Sequence, residues 1–495
     1  MARAAVCLLR CDLRAHDNQV LHWAHNNADY IIPLYCFDPR HYVGTHCYGF
    51  PKTGPHRLRF LLESVKDLRE TLKKKGSTLV VRKGKPEDVV SDLITQLGCV
   101  GVVAFHEEAT QEELDVEKGL CQVCGQHGVK VQTFWAATLY HRDDLPFGPI
   151  ARLPDVYTQF RKAVESEAKV RPTLQLADQL KPLAPGVEEG CIPTMEDLGQ
   201  KDPGTDPRTA FPCSGGETQA LMRLQYYFWD TNLVASYKET RNGLIGMDYS
   251  TKFAPWVLFE LLWRDYFRFV ALKYGRRIFS VRGLQSKEVP WKKDLQLFDC
   301  WKVSFVSAEG KTGVPFVDAN MRELAATGFM SNRGRQNVAS FLTKDLGLDW
   351  RMGAEWFEHL LVDYDVCSNY GNWLYGAGVG NDPRDNRKFN MIKQGLDYDG
   401  NGDYVRLWVP ELRGIKGAAA HTPWALSSAA LSQAGVTLGE TYPRPVVTAP
   451  EWSRHISQRP QGRSPHPRGR RGPARTPAQH KDGGIDFYFS RKKDV

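Results

Sequence analysis

The sequence has no apolar run of the roughly 20 residues that a membrane-spanning helix requires. Its first residues, MARAAVCLLRCDLR, enter a strand-like pattern without a signal or transit peptide, which favours an intracellular protein. Eleven cysteines are scattered without framework spacing, as is typical of reduced thiols. Cys121 and Cys124 have C-x-x-C spacing but no second pair, so we predict no metal site.

Most of the chain also lacks an excess of positive charge, although the formal net charge is +8. Residues 456–495 contain ten Lys and Arg against three Asp, a net +7, which leaves +1 for the remaining body. Any nucleic-acid surface on the body must therefore be a local patch. We interpret 456–495, rich in Arg, Pro and Gly, as a basic disordered tail, which is either simply solvated or an arm that binds phosphate backbone.

The first part of the chain alternates strand-like runs with helical patterns, which predicts an α/β domain over 1–137 with a doubly wound parallel sheet. No G-x-G-x-x-G follows the first strand, so a Rossmann dinucleotide site is not expected. Residues 138–216 are rich in Pro, Gly and Asp, which is typical of a connector. Helical periodicity with many aromatic residues dominates 217–455, which predicts a large all-helical domain.

The helical part carries the candidate site residues. The stretch DYDVCSNYGNW, from Asp363 to Trp373, places carboxylates and amides beside a helix that should face a core, where they require partners. Ser250, Thr251 and Lys252 offer hydroxyls, N–H groups and a cation before an apolar segment. Such a group suits either a phosphate near a helix start or an ordinary helix cap.

Two further segments combine polar groups with an aromatic ring. In FELLWRDYFRF, Glu260, Trp263 and Arg264 fall on neighbouring faces of a predicted helix. An acid, an aromatic plate and a cation together can hold a planar, polar substrate, although a salt-bridge network would explain any one of them. The segment GFMSNRGRQNVASF adds three more polar candidates: Asn332, Arg335 and Gln336.

Together with LLRCDLRAHDNQVLHWA, YKETRNG and AHTPWALS, these motifs resemble the cryptochrome/DNA photolyase family over nearly the whole chain, most closely its cryptochrome DASH branch. The resemblance implies that the helical domain binds FAD, with Asp363 and Asp365 facing the flavin and its ribose, Arg335 paired with an aspartate, and Asn369 beside flavin N5. Other flavin contacts are implied for these residues: Tyr237, Ser250, Thr251, Lys252, Phe253 and Arg264.

The activity implied by the resemblance is blue-light-dependent repair of cyclobutane pyrimidine dimers, preferentially in single-stranded DNA, by electron transfer from excited reduced FAD. The substrate pocket would consist of Glu260, Trp263, Asn332 and Gln336. A relay of indoles would carry electrons from the surface to the flavin: Trp373, Trp350 and Trp291. Ala254 departs from the serine usual in the family's phosphate segment, which puts one phosphate hydrogen bond in doubt.

An antenna of 5,10-methenyltetrahydrofolate is also implied at the junction of the two domains. Glu107 and Glu108 are the candidates for binding its pterin ring, and a solvated acidic pair is the competing interpretation. The implied partner is DNA, mainly single-stranded, or RNA; we expect a monomer and no membrane contact. Two alternatives stay open: a blue-light photoreceptor with little repair activity, or a flavin-poor, inactive isoform.

The chain also departs from the family pattern in length. DYSTKFAPW runs directly into VLFELLWRDYF, where we expect about two further helices, and Trp256 marks the edge of this gap. A few residues near 303–308 are extra. The gap predicts that Ser250–Phe253 loses the helix that follows it and that flavin binding is weak.

Overall fold

The computed structural model describes residues 3–256, 262–302, 311–382 and 388–457. Met1–Ile456 form one compact unit. Within the described ranges, no helix is both long and apolar enough to cross a bilayer.

The amino-terminal part is a five-stranded parallel sheet with the strand order β3-β2-β1-β4-β5. Strand β1 pairs with β2 on one side and β4 on the other, so that Val6 lies opposite both Ile32 and Val103. The chain reverses its direction of travel between these neighbours, which opens a crevice at the carboxyl ends of β1 and β4. The strands are β1 (Ala4–Leu9), β2 (Tyr30–Phe37), β3 (Val80–Lys83), β4 (Val100–His106) and β5 (Lys130–Phe134).

Helices cover both faces of this sheet because its side chains alternate in direction along each strand. Cys7 faces the same apolar cluster as Leu68, whereas the preceding Val6 joins the opposite cluster with Leu120. The inner strands β1 and β2 are therefore buried on both sides, as in other doubly wound folds, whereas the edge strand β5 is partly exposed. The helices of this part are α1 (Gln19–Asn27), α2 (Pro55–Lys74), α3 (Pro86–Leu97) and α4 (Gln111–Gln126).

In the rest of the described chain, residues 168–216 are mostly irregular and the regular elements are helices, and side-chain caps define where the central helices begin. Ser331, Asp349 and Asp365 each accept a backbone N–H of the first turn that follows, which satisfies a donor that the helix itself leaves unpaired. The helices are α5 (Tyr157–Glu167), α6 (Glu217–Gln225), α7 (Tyr237–Thr240), α8 (Leu262–Tyr274), α9 (Leu295–Trp301), α10 (Pro315–Thr327), α11 (Asn332–Ser340), α12 (Trp350–Leu360), α13 (Val366–Ala377), α14 (Met391–Tyr398), α15 (Asp403–Trp408), α16 (Ser428–Gln433) and α17 (Ser453–Ser457).

A buried carboxylate on α12 joins the helical part to a loop that follows β2. Glu355 is 1 % exposed and accepts hydrogen bonds from the Thr45 hydroxyl at 2.6 Å and from the N–H groups of Cys47 and Tyr48 at 2.8 and 2.9 Å. Such charge-assisted bonds are stronger than neutral ones. They hold the loop against the helix that precedes the DYDVCSNYGNW stretch.

The predicted fold class, a doubly wound parallel sheet followed by a large helical part, is confirmed. The boundaries placed at residues 137, 216 and 455 stay predictions. Three features that the sequence singled out lie outside the described residues: Glu260, the extra residues near 303–308, and the tail from 458 onwards.

Helices α12 and α13 approach closely because Gly353 has no side chain. A Cβ atom there would lie 2.1 Å from Cη2 of Trp373, whose indole is 2 % exposed. Gly376, on α13, provides the contrast, since its Cβ would meet only the Cβ of Ala339 at 3.6 Å. Glycine at 353 is therefore required by the position of Trp373.

We expect Gly353→Ala to displace Trp373 and lower the free energy of unfolding by about 1–3 kcal/mol, the usual range for overpacking a core. Gly376→Ala should leave the free energy of unfolding unchanged or raise it by up to about 1 kcal/mol, because alanine favours a helix more than glycine does. Urea unfolding followed by tryptophan fluorescence measures both. Equal losses in the two variants would contradict the close approach.

Candidate functional site

The first candidate group lies between α12 and α13. Asp363 is a buried carboxylate whose two oxygens accept from Nη2 of Arg335 at 3.0 and 2.8 Å. Nε of the same guanidinium donates to the carbonyl of Met330 at 2.9 Å, which fixes its orientation. The predicted pairing of Arg335 with an aspartate is therefore present, and the buried charge of Asp363 is balanced.

Asp365, two residues later, begins α13 by accepting the N–H of Ser368 at 2.8 Å. Its Oδ2 also lies 3.5 Å from Nη2 of Arg264 and 3.6 Å from Nη2 of Arg268. Burial alone would raise the pKa of this carboxyl, but the two guanidinium groups and the N–H of Ser368 lower it to about 2. Asp365 is therefore a permanent anion over the physiological pH range.

The predicted antenna residues follow the carboxyl end of β4. Oε2 of Glu108 accepts from Nη1 of Arg268 at 2.9 Å, so one buried arginine joins this sheet edge to Asp365. Glu107 points elsewhere: it accepts from the Thr133 hydroxyl at 2.7 Å and from the Arg142 guanidinium. The two glutamates are thus ordered in different networks and do not form a solvated acidic pair.

Asn369 lies one turn after Asp365 on α13, so its amide shares a helix face with that carboxylate. The side chain is 8 % exposed, and its Nδ2 donates to the carbonyl of Ala354 on α12 at 2.9 Å. This bond fixes which way the amide faces. Its oxygen points away from the donated bond and can accept from a group bound beside α13.

The three predicted relay tryptophans occupy neighbouring segments. Trp373 is buried on α13, and Trp350 is the buried first residue of α12. Trp291 is partly buried and precedes Lys292, whose carbonyl accepts the N–H of Asp349 at 2.9 Å, immediately before Trp350. The structure therefore brings the three segments together, with the most exposed indole last.

On the predicted substrate side, Trp263 is 40 % exposed and its indole stacks on Tyr157, with ring centroids 3.6 Å apart. Asn332 is exposed at the start of α11, and Gln336 follows one turn later on the same face. Oε1 of Gln336 accepts from Nη1 of Arg333 at 3.0 Å. An aromatic plate and two amides are thus available at the surface.

Most of the predicted phosphate segment is accessible. Tyr237 is exposed as the first residue of α7, and Ser250, Thr251 and Phe253 are half-buried. The Phe253 ring stacks on Phe228, with centroids 6.0 Å apart. The described residues from 241 to 256 contain no helix, so the N–H groups of this segment do not belong to a helix N-terminus.

Lys252 is directed into the protein. Its ammonium donates to the carbonyls of Ala210 at 3.0 Å and Gly246 at 2.6 Å, and it lies 3.5 Å from the ring centroid of Tyr249. Burial lowers the pKa of this amine to about 7. The cation that the sequence predicted for a phosphate is therefore bound by the protein's own carbonyls.

These groups fit one end of an FAD molecule better than the other. The pyrimidine ring of a flavin offers an N–H donor and carbonyl acceptors, which the carboxylates, guanidinium groups and amide at the start of α13 can complement. The phosphates require cations and free N–H groups, and Lys252 is not available to them. The residues present therefore fit the end with the ring and its ribityl chain, and do not fit the phosphate end.

Arg268 and Tyr157 were missed from the sequence. Arg268 follows Arg264 by four residues, so a second arginine on the same face of α8 was a signal that could have been used. Tyr157 lies in the predicted connector, far from Trp263 in sequence, and no local pattern links the two. Their contact depends on how α5 packs on α8.

Comparison with known proteins gives two matching family models. Residues 5–181 match the model described as DNA photolyase, and residues 256–461 match the FAD binding domain of DNA photolyase. The second match begins after the Ser250–Phe253 segment. A photolyase-type FAD-binding domain is therefore present, with the predicted phosphate segment outside the matched range.

Curated relatives match the chain along its whole length. The cryptochrome DASH of Xenopus laevis is 69 % identical over 525 aligned positions, which cover 100 % of this chain and 99 % of the relative. That of Danio rerio is 66 % identical over 522 positions, with 99 % of each chain covered. Both alignments are longer than the 495 residues of this chain, the first by 30 positions. Each relative therefore contains residues that this chain lacks, and the alignment places gaps in this chain opposite them.

Solved structures agree in architecture. A Synechocystis cryptochrome is 45 % identical with a TM-score of 0.85, covering 92 % of this chain and 97 % of that one. A class III photolyase from Agrobacterium tumefaciens is 29 % identical with a TM-score of 0.75, covering 92 % and 96 %. With curated relatives of this identity matched from end to end, the chain belongs to the cryptochrome DASH group of the cryptochrome and photolyase family.

Proposed function

We propose that this protein is a blue-light-dependent flavoprotein that repairs cyclobutane pyrimidine dimers, preferentially in single-stranded DNA. The observation that carries the proposal is the arrangement at the start of α13, where Asp363, Asp365 and Asn369 are held by Arg335, Arg264 and the carbonyl of Ala354. These groups lie in a chain whose family model is an FAD-binding photolyase domain.

When bound, FAD would supply light-driven one-electron chemistry. Arg335 and Asp363 would bind its polar ring edge, and Asp365 would face the ribose. The amide of Asn369 would lie beside N5, where its oxygen accepts a hydrogen bond from a protonated nitrogen and its Nδ2 stays on Ala354. Trp373, on the next turn of α13, would be the first indole of the relay. Its indole is buried, so water is excluded from this end of the relay.

The substrate would be held by the exposed plate and amides. The exposed part of the Trp263 indole would stack on a base, and Asn332 and Gln336 would hydrogen-bond base edges. Unpaired DNA requires no base pair to be broken before the dimer enters such a pocket, which is the physical reason for the single-strand preference. Glu260, in its protonated form, would donate a hydrogen bond to a carbonyl of the dimer and stabilise the negative charge that develops there.

The antenna proposal rests on Glu107 and Glu108 at the end of β4. Because Glu108 also pairs with Arg268, a pterin bound by Glu108 would be linked through one side chain to Asp365 and hence to the start of α13. A folate there would lie at the carboxyl end of the sheet, the usual ligand crevice of this layered architecture.

The repair activity is tested with a thymine dimer in single-stranded and in duplex oligonucleotides, under blue light and with saturating reduced FAD. We expect faster repair of the single strand. Glu260→Ala should lower repair at least about tenfold, since one electrostatic donor to developing charge is worth about 10²–10³-fold in other enzymes. Glu239→Ala, on α7, is the matched control and should repair normally. Absence of light-dependent repair in the unmodified protein would favour the photoreceptor alternative.

Deletion of residues 458–495 should weaken binding to single-stranded DNA and flatten its salt dependence. The deletion removes a net charge of +7, and each phosphate that the tail no longer neutralises should reduce the slope of log K against log salt by about 0.7. A full-length variant with the seven tail arginines changed to glutamine separates charge from length. If both variants keep the slope of the intact protein, the tail does not contact the nucleic acid.

A further inference from the structure

The ammonium group of Lys252 has no unused donor in this protein. It carries three N–H bonds. Two reach the carbonyls of Ala210 and Gly246, and the face of Tyr249, 3.5 Å away, attracts the charge in the remaining direction. With the side chain 4 % exposed, a phosphate outside the protein cannot reach this cation.

The backbone between Ser250 and Lys252 also turns a carbonyl towards a neighbouring cation. The carbonyl of the intervening Thr251 accepts from Nε of Arg223 at 3.3 Å. A helix start supplies several N–H groups that point to one place, and none of residues 250–256 is helical.

The length of the chain supplies a reason. The frog relative aligns over 30 more positions than this chain has residues, enough for about two helices of average length. The sequence predicts the gap immediately after Trp256. That position is where a helix would have to begin in order to direct its N-terminus at Ser250–Phe253.

Exposed apolar residues are concentrated in the same part of the sequence. Eleven large apolar side chains are exposed in the described parts of the chain, and seven of them lie between residues 221 and 263. Such a concentration is typical of a surface from which a covering element is missing. The seven are Leu221, Met222, Trp229, Tyr237, Ile245, Met247 and Trp263.

We propose that Lys252 closes the phosphate end of the flavin site in this chain, so that the protein binds a flavin by its ring and ribityl chain and gains almost no affinity from the phosphates. The inference rests on the flavin site of the proposed function. It makes the chain a weak flavin binder that does not distinguish FAD from FMN or riboflavin.

The test compares the full chain with a version that carries, after Trp256, the additional residues of the frog relative. Flavin fluorescence titrations give dissociation constants for FAD, FMN and riboflavin. For the chain as it is, we expect the three values to agree within about threefold. For the extended version, we expect FAD to bind at least about tenfold more tightly than riboflavin, the value of one charge-assisted hydrogen bond.

A second measurement does not depend on folding of the extended version. Acetylation of lysines by an N-hydroxysuccinimide ester, followed by mass spectrometry, should leave Lys252 of the present chain unmodified with or without FAD. Lys238, exposed on α7, is the matched control and should react at the rate of a surface lysine.

The outcomes separate the two proposals. A tenfold preference of the present chain for FAD, or acetylation of Lys252 at the rate of Lys238, would overturn the closed phosphate end and leave the proposed function standing. Equal binding of all three flavins by the extended version would also overturn the closed phosphate end and leave the proposed function standing. If neither version binds any flavin, the proposed function fails, and this inference fails with it.

Discussion

The largely buried carboxylate of Asp365 is the constraint on which the organisation of this protein depends. An anion removed from water must be neutralised and hydrogen-bonded, and here Arg264, Arg268 and the first turn of α13 do so. Because Arg268 also binds Glu108 at the end of β4, the same charge joins the sheet to the helical part. Loss of Asp365 would leave two guanidinium groups without this shared anion.

The position of the site follows from this helix start. Asp365 begins α13, so Asn369 falls one turn later and Trp373 a further turn along. Gly353 then allows α12 to approach until its backbone contacts the indole of Trp373. The ring end of the site is therefore built on two rigid, closely packed helices, and its amide and indole have little freedom to move.

At the phosphate end of the site, a buried charge again requires partners, but the partners are of a different kind. Lys252 is also buried, but its charge is stabilised by carbonyl dipoles and an aromatic face, and no carboxylate of the described residues forms an ion pair with it. Carbonyls stabilise an ammonium less than an anion does, which agrees with the lowered pKa of this amine. The candidate flavin site thus has a ring end whose side chains are fixed by ion pairs, and a phosphate end whose cation, Lys252, faces into the protein.

The sequence by itself determined the alternation of strands and helices, because apolar periodicity is a local property and the apolar positions of α2 lie within one helix. It also identified Asp363, Asp365 and Asn369, since buried polar groups stand out in an apolar context. It could not place Arg268 against Glu108 or Tyr157 against Trp263, which are more than 100 residues apart. Only the tertiary structure decided these contacts, and the direction of Lys252, because each depends on which distant groups packing brings within hydrogen-bond or stacking distance.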